Sequence, residues 1–427
     1  MNKHTFTIGF MLFALFFGAG NLIYPPTLGM EAGTTYWWAI AGFVITGVGL
    51  PILAVAAIAL VKSDARELSN RVHPLFGLVF TSLVYLSIGT FFGIPRAASV
   101  AYEMSMGPFV ESNGAVLLAF TAVFFLLVLI FSLNPAKIVN RIGQFLTPIL
   151  LLAIITLIVG ALFTLQEPLA EPIERYKSMP LFKGFVEGYL TMDAIAALAF
   201  GIIVVTAFKA RGITHKKALI KETIKAGLVT GIGLTGVYVA IGWIGAKIGD
   251  SGTHSNGGEI LSSAADLIFG PFGALILGLI VALACFTTSV GLVVASAQYF
   301  SGISKMSYKT VAIIVTFFSF LIANQGLNTI ITVSVPVLVF LYPIAIVIIL
   351  LAFLHPLFSK PQAVYRGAVV VTAVFSLYDG ITAFGIQLPA LKPLIESLPL
   401  FNAGLAWLLP AIIGGVTGHL LGRKRHQ

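Results

Sequence analysis

Charge is what this sequence has least of. Only 10% of its 427 residues are Asp, Glu, Lys or Arg, against about 25% in soluble domains, and that shortfall excludes a water-soluble globule. Cysteine is almost missing: Cys285 stands alone, so no intrachain disulfide is available and nothing ties the fold to an oxidising compartment. There are seven histidines, but no His-Glu-x-x-His string, no Cys-x-x-Cys pair and no Gly-x-x-x-x-Gly-Lys-Ser/Thr loop. Metal catalysis and nucleotide drive therefore lack their ligands. No nucleophile and base stand together either, so the sequence does not read as an enzyme.

Apolar residues make up 58% of the chain, and they gather in runs of about 20, the length of helix that crosses a hydrocarbon core. Their apolarity is continuous rather than alternating, which selects helices over a β-barrel. Twelve such segments are predicted, at about 5–27, 36–61, 75–95, 114–133, 143–165, 186–208, 222–247, 271–299, 308–323, 329–354, 365–386 and 401–421. The class is all-α integral membrane, with 1–427 as a single transmembrane domain. The stretches 167–183 and 248–270 are read as the longest loops.

The net charge of +9 reflects topology rather than nucleic acid. With the N-terminus inside, nineteen basic residues collect on the inner side, among them Lys62, Lys137, the run Lys209 to Lys225, and Arg425. The six left outside are Arg96, Arg175, Lys177, Lys183, Lys247 and Lys392. That asymmetry predicts an even number of spans with both termini cytoplasmic, and anionic lipid as the neighbour of the basic run.

Two spans carry interruptions. The first reads Phe16-Phe17-Gly18-Ala19-Gly20-Asn21-Leu22, with Tyr24-Pro25-Pro26 as its expected end. Glycines there can serve close helix packing, but an amide at Asn21 is costly in lipid and suits an unwound backbone. The sixth places Asp193 in its outer third, next to the expected break, with Ala197-Leu198-Ala199-Phe200-Gly201 at the centre and Ala197 and Phe200 expected at the break. Broken helices five spans apart point to an inverted-repeat secondary transporter with its site at the midplane. The repeats would cover about 5–165 and 186–354, with two extra helices at about 365–421. The eighth span adds Ala284-Cys285-Phe286-Thr287-Thr288-Ser289. Those hydroxyls can simply back-bond to their own helix, or, beside freed carbonyls, join a cage for a hard cation.

The strings Phe16-Phe17-Gly18-Ala19-Gly20-Asn21-Leu22-Ile23-Tyr24-Pro25-Pro26, Phe91-Phe92-Gly93-Ile94-Pro95-Arg96-Ala97 and Gly188-Tyr189-Leu190-Thr191-Met192-Asp193-Ala194-Ile195-Ala196 resemble the branched-chain amino acid:cation symporter family, the BrnQ-type carriers. The resemblance runs the whole length. It implies import of leucine, isoleucine and valine across the bacterial inner membrane, coupled to Na+ or H+. More distantly the chain is similar to the LeuT-type fold, a 5+5 inverted repeat with helices 1 and 6 interrupted. That similarity implies Asn21 as a sodium ligand, and a second sodium site from the carbonyls of Ala14, Phe17 and Ala284 with the hydroxyls of Thr287 and Thr288. Ile195 falls where a sodium-binding threonine would be expected, so the first of these sites departs from the pattern.

The mechanism so implied is alternating access. The substrate carboxylate meets amides around Phe17, Gly18, Ala19 and Gly20, its ammonium meets carbonyls of the sixth helix or Asp193, and Ala197 and Phe200 wall an apolar pocket. Tyr85 is a further candidate for the carboxylate, although an amphipathic aromatic in a bundle commonly belongs to the core. Asp193 could instead carry a coupling proton. Asp379 lies outside both repeats and reads as a packing or assembly feature. A channel would use similar breaks but would show flux without uphill accumulation.

Overall fold

In the computed structural model, the described residues are 3–61, 64–107, 109–110, 113–133, 138–248 and 254–424. Lys62, Lys137 and Arg425 of the basic count lie outside them. Among the described residues every regular element is a helix. The first two, α1 (Lys3–Phe16) and α2 (Ala19–Ala32), flank Phe17-Gly18. After a 3-10 turn, α3 (Tyr36–Val44) runs through a π-helical turn at Ile45–Gly49 into α4 (Leu50–Val61), followed by the short α5 (Ala65–Asn70). A second π turn, Ser87–Phe91, joins α6 (Pro74–Leu86) to α7 (Gly93–Ser105). Next come α8 (Gly114–Ser132), α9 (Ile138–Thr164), α10 (Glu174–Lys177) and α11 (Pro180–Glu187); a 3-10 turn, Gly188–Thr191, then leads towards α12 (Asp193–Lys209). The remainder is α13 (Lys216–Ile248), α14 (Gly257–Phe269), α15 (Pro271–Ile303), α16 (Tyr308–Ala323), α17 (Leu327–Leu354), α18 (Pro361–Ala383), α19 (Lys392–Glu396) and α20 (Leu408–Lys424).

Seven helical stretches among the described residues are long and apolar enough to cross a membrane, and the pair Pro180–Thr191 and Asp193–Lys209 makes an eighth if it is one span. Shorter apolar helices at His4–Phe16, Leu151–Thr164, Tyr308–Ala323 and Leu408–Gly422 fall on the other expected segments. Large apolar side chains such as Phe163, Ile232 and Phe272 stand exposed, as lipid-facing helices require and water-facing ones do not.

Two expectations change here. The helix holding Tyr24, Pro25 and Pro26 does not end there but continues to Ala32. Proline's fixed φ is helical, and what it removes is the donors to the carbonyls of Asn21 and Leu22, a loss that neighbouring helices can make good in a membrane bundle. The stretch read as a loop at 248–270 contains α14, opened by Asn256, whose Oδ1 accepts from the backbone of Gly258 and Glu259. Capping of this kind lets a short helix form outside the spans.

By their contacts the residues divide into two compact units. The first comprises 1–48, 85–192 and 225–331, the second 49–84, 193–224 and 332–427. The units interleave along the chain. In the first, α15 packs along α7, α11 along α3, and α1 against α9. In the second, α12 lies on α4 and α18 on α20.

Small residues make these approaches possible, since helices in lipid associate by close packing rather than by a hydrophobic drive. A Cβ on Gly42 of α3 would run into the carbonyl oxygen of Leu181 and come within 2.8 Å of the Phe185 nitrogen; one on Gly184 of α11 would strike the carbonyl of Ala39. The two helices therefore meet backbone to backbone. Gly236, by contrast, has open space where its Cβ would be. We expect Gly42→Ala to destabilise the protein by about 1–3 kcal/mol through overpacking, whereas Gly236→Ala is neutral or mildly stabilising. Thermal unfolding of the purified variants in detergent checks this; equal melting temperatures would contradict the packing assignment.

Candidate functional site

The first span is broken where the sequence places its glycines. The Phe17 amide still closes a turn of α1 on the Phe13 carbonyl at 2.7 Å, and then Gly18 turns to extended backbone at φ −133, ψ −161. Its N–H, which would have bonded the Ala14 carbonyl in a continuous helix, goes instead to Asn21 Oδ1 at 2.9 Å. Asn21 Nδ2 donates to the Tyr238 hydroxyl of α13. The amide of Asn21 thus holds the opening of α2 in place, which accounts for so polar a residue being 1% exposed.

The hydroxyl cluster of α15 faces this break. Thr288 Oγ1 donates to the Phe17 carbonyl at 3.1 Å, and Thr287 Oγ1 to the Ala284 carbonyl at 2.8 Å. The Thr287 bond is the local back-bond that needs no function; the Thr288 bond crosses from α15 to the first span. A Cβ on Gly18 would come within 3.1 Å of Thr288 Cγ2, so the approach requires glycine or a small shift. Of the expected cation ligands, Phe17 and Thr288 meet across the break, Thr287 and Ala284 are joined within α15, Ala14 loses its helical donor at the same break, and Asn21 is bonded to the cap and Tyr238.

The sixth span is interrupted beside Asp193, as expected, but not at Ala197 and Phe200. Gly188–Thr191 forms a 3-10 turn, Met192 takes the left-handed conformation at φ 67, and α12 starts at Asp193. Ala197 and Phe200 lie in regular, fully buried helix beyond the break. A Cβ on Gly201 would sit 2.7 Å from Ile58 Cβ, so the Ala-rich string serves the packing of α12 on α4. That is the physical reason Ala197 and Phe200 do not lie at the break. A non-glycine residue at positive φ costs about 1–2 kcal/mol, and such strain gathers at functional sites. Asp193 is 3% exposed and occupies the first turn of α12, where a carboxylate is favoured by the helix dipole. The next amide, Ala194 N–H, donates to the Tyr342 hydroxyl at 3.3 Å.

Tyr85 is 4% exposed, its ring stacked on Tyr299 at 4.2 Å between centroids, which is the packing role weighed for it. Asp379 is half-buried near the C-terminal end of α18. A cavity of about 750 Å³ lies apart from all these candidates, lined in part by Glu103, His254, Glu259 and Asp266.

Two features escaped the sequence reading. The third span carries its own irregular turn, with Gly89 at φ −90, ψ −108 inside Ser87–Phe91. Arg96, assigned to the outer flank, lies within α7 and is 3% exposed. It was misplaced because the third span extends to Ser105 rather than ending near 95. Arg96 Nη1 donates to the Leu190 carbonyl at 2.7 Å and to the Tyr24 hydroxyl at 3.2 Å, and Nη2 donates to the Thr191 carbonyl at 3.1 Å. The signal was present in Gly93-Ile94-Pro95-Arg96: an arginine directly after an apolar run in one of the family-like strings.

A family model described as "Branched-chain amino acid transport protein" matches residues 1–425. Two Bacillus subtilis (strain 168) relatives are the branched-chain amino acid permease BraB, 47% identical over 98% of this chain and 95% of that protein, and the permease BrnQ, 45% identical over 97% and 96%. Among solved structures, MhsT in complex with L-phenylalanine superposes with a TM-score of 0.58 at 16% identity, covering 97% of this chain and 98% of that one. At that identity the likeness shows the fold, which is the LeuT-type fold. With broken first and sixth spans, an all-helical membrane architecture and a family match over nearly its whole length, the chain belongs to the branched-chain amino acid transport protein family, whose members are transporters and not enzymes.

Proposed function

We propose that this chain is a secondary symporter that imports leucine, isoleucine and valine across the bacterial cytoplasmic membrane, coupled to Na+ by alternating access, with both termini cytoplasmic. The observation that carries the coupling is the meeting of the Thr288 hydroxyl with the Phe17 carbonyl at the break in the first span. Both oxygens are neutral and hard, as are the Thr287 hydroxyl and the Ala284 carbonyl. Within each pair, Thr288 with Phe17 and Thr287 with Ala284, the oxygens lie 3.1 and 2.8 Å apart, a spacing that suits neighbouring ligands in a shell of hard oxygens at about 2.0–2.6 Å from a cation. For an ion to bind, each hydroxyl turns its proton away and offers a lone pair. The Ala14 carbonyl, released from Gly18, is the fifth oxygen in reach of this reading.

An ion held there ties α15 to the junction of α1 and α2. The amides at the N-terminus of α2 lie two residues on and suit the substrate carboxylate. Ion and amino acid then fix the same backbone segment, so each strengthens the other's binding. Proton coupling through Asp193 is the second reading. Its support is the burial of that carboxyl at the start of α12.

Uptake of labelled isoleucine into proteoliposomes, driven by an inward sodium gradient, an inward proton gradient or neither, separates the two. We expect accumulation with sodium alone. Thr288→Val, which keeps shape and removes the hydroxyl, should raise the sodium concentration for half-maximal uptake by about tenfold or more, the loss of one hydrogen-bond-scale interaction with a charged ligand. Accumulation driven only by protons and abolished in Asp193→Asn would move the coupling to Asp193. Absence of uptake under either gradient would overturn the substrate assignment.

A further inference from the structure

We propose that Arg96 supplies the fixed positive charge that holds the carboxylate of the amino acid substrate beside the first turn of α2. The inference deepens the reading above and rests on it. Its starting point is an electrostatic imbalance. Arg96 is buried to 3% exposure, yet its acceptors are two backbone carbonyls and a tyrosine hydroxyl, all neutral. Among the described residues it enters no ion pair. Its Nε is buried with no hydrogen-bond partner, and Nη2, with one acceptor for its two hydrogens, keeps a second N–H in hand.

A buried guanidinium without an anion is expensive, and inside a membrane protein such a charge marks a functional site by default. The carbonyls of Leu190 and Thr191 offset part of the cost, because they end the 3-10 turn at the break of the sixth span and carry the negative end of its dipole. The other neighbour adds to the imbalance. A Cβ on Gly20 would lie 2.5 Å from Arg96 Nη2, 2.8 Å from the Thr191 carbonyl oxygen and 3.0 Å from the Thr191 Cα. The guanidinium is therefore pressed against the first turn of α2, where amides without intrahelical acceptors present the positive end of that helix. Two positive groups converge on one place and what would reconcile them is an anion. A carboxylate satisfies both, since guanidinium donors match its paired oxygens. Tyr24, whose ring lies 5.4 Å from the guanidinium carbon, steadies the group from α2 itself.

Gly20 is required to be glycine by the Thr191 backbone as well as by Arg96, and a side chain there would displace the guanidinium. It also predicts which chemical feature of the ligand Arg96 reads. Isoleucine and 2-methylbutylamine share their ammonium and branched side chain and differ by the carboxylate. Ligand-induced thermal stabilisation of the purified full-length protein, titrated with each compound, yields both affinities without requiring transport.

Wild-type protein is expected to bind isoleucine far more tightly than the amine. Arg96→Gln should weaken isoleucine by about 10- to 100-fold while leaving the amine unchanged, so that discrimination collapses. Arg96→Lys keeps the charge without the planar fork and should recover part of the loss, and Gly20→Ala should reproduce it in part by moving the guanidinium. If Arg96→Gln does not fold, the comparison of Arg96→Lys and Gly20→Ala with wild type decides the matter in the same way. Unaltered discrimination, or equal losses for both compounds, would make Arg96 only a clamp on the sixth span and overturn the inference alone. A folded wild type stabilised by neither compound would overturn the substrate reading, and the inference with it.

Discussion

A backbone that leaves the helix in the middle of a hydrocarbon layer frees amides and carbonyls that no water is there to satisfy. The junction at Phe17 and Gly18 is such a place, and much of the first compact unit is arranged around it. Asn21 takes the Gly18 amide, Tyr238 takes the Asn21 amide, and Thr288 meets the Phe17 carbonyl. Three helices distant in sequence are thereby tied to one point. On the function proposed above, the amides of Ala19 and Gly20 at the opening of α2 and the carbonyl of Ala14 are what a zwitterion and a cation would use.

The sixth span repeats this economy with other means. Its break ends in Met192, held at positive φ without glycine, and its freed carbonyls at Leu190 and Thr191 are met by a guanidinium. One interrupted span thus answers to hydroxyls and an amide, the other to a permanent charge. The residues named at both breaks belong to the first unit.

Much of the fold was legible because its signals are long. Runs of about 20 apolar residues survive errors at their ends, and α16 at Tyr308–Ala323 coincides with the predicted segment. The first break was legible because Gly18, Gly20 and Asn21 are chemically at odds with a lipid-facing helix. The break in the sixth span is legible at Asp193, whereas Ala197 and Phe200 fall beyond it because small residues serve two purposes: Gly201 lets Ile58 approach, while the break itself uses Met192, a good helix former by propensity. Arg96 was missed for a different reason. Counting arginine as a topological marker assumes that it sits in water, and only the extent of α7 reveals that this one does not. Proline misled in the same local way at Pro25 and Pro26, where tertiary context overrode a helix-ending signal.

If one backbone junction binds ion and amino acid together, each raises the other's affinity by the same factor. Equilibrium binding of radiolabelled sodium to the purified protein, with and without saturating isoleucine, tests it most directly. The account predicts tighter sodium binding when isoleucine is present, a gain that is lost in Thr288→Val. Sodium binding indifferent to isoleucine, or no sodium binding by a protein that still binds isoleucine, would contradict it.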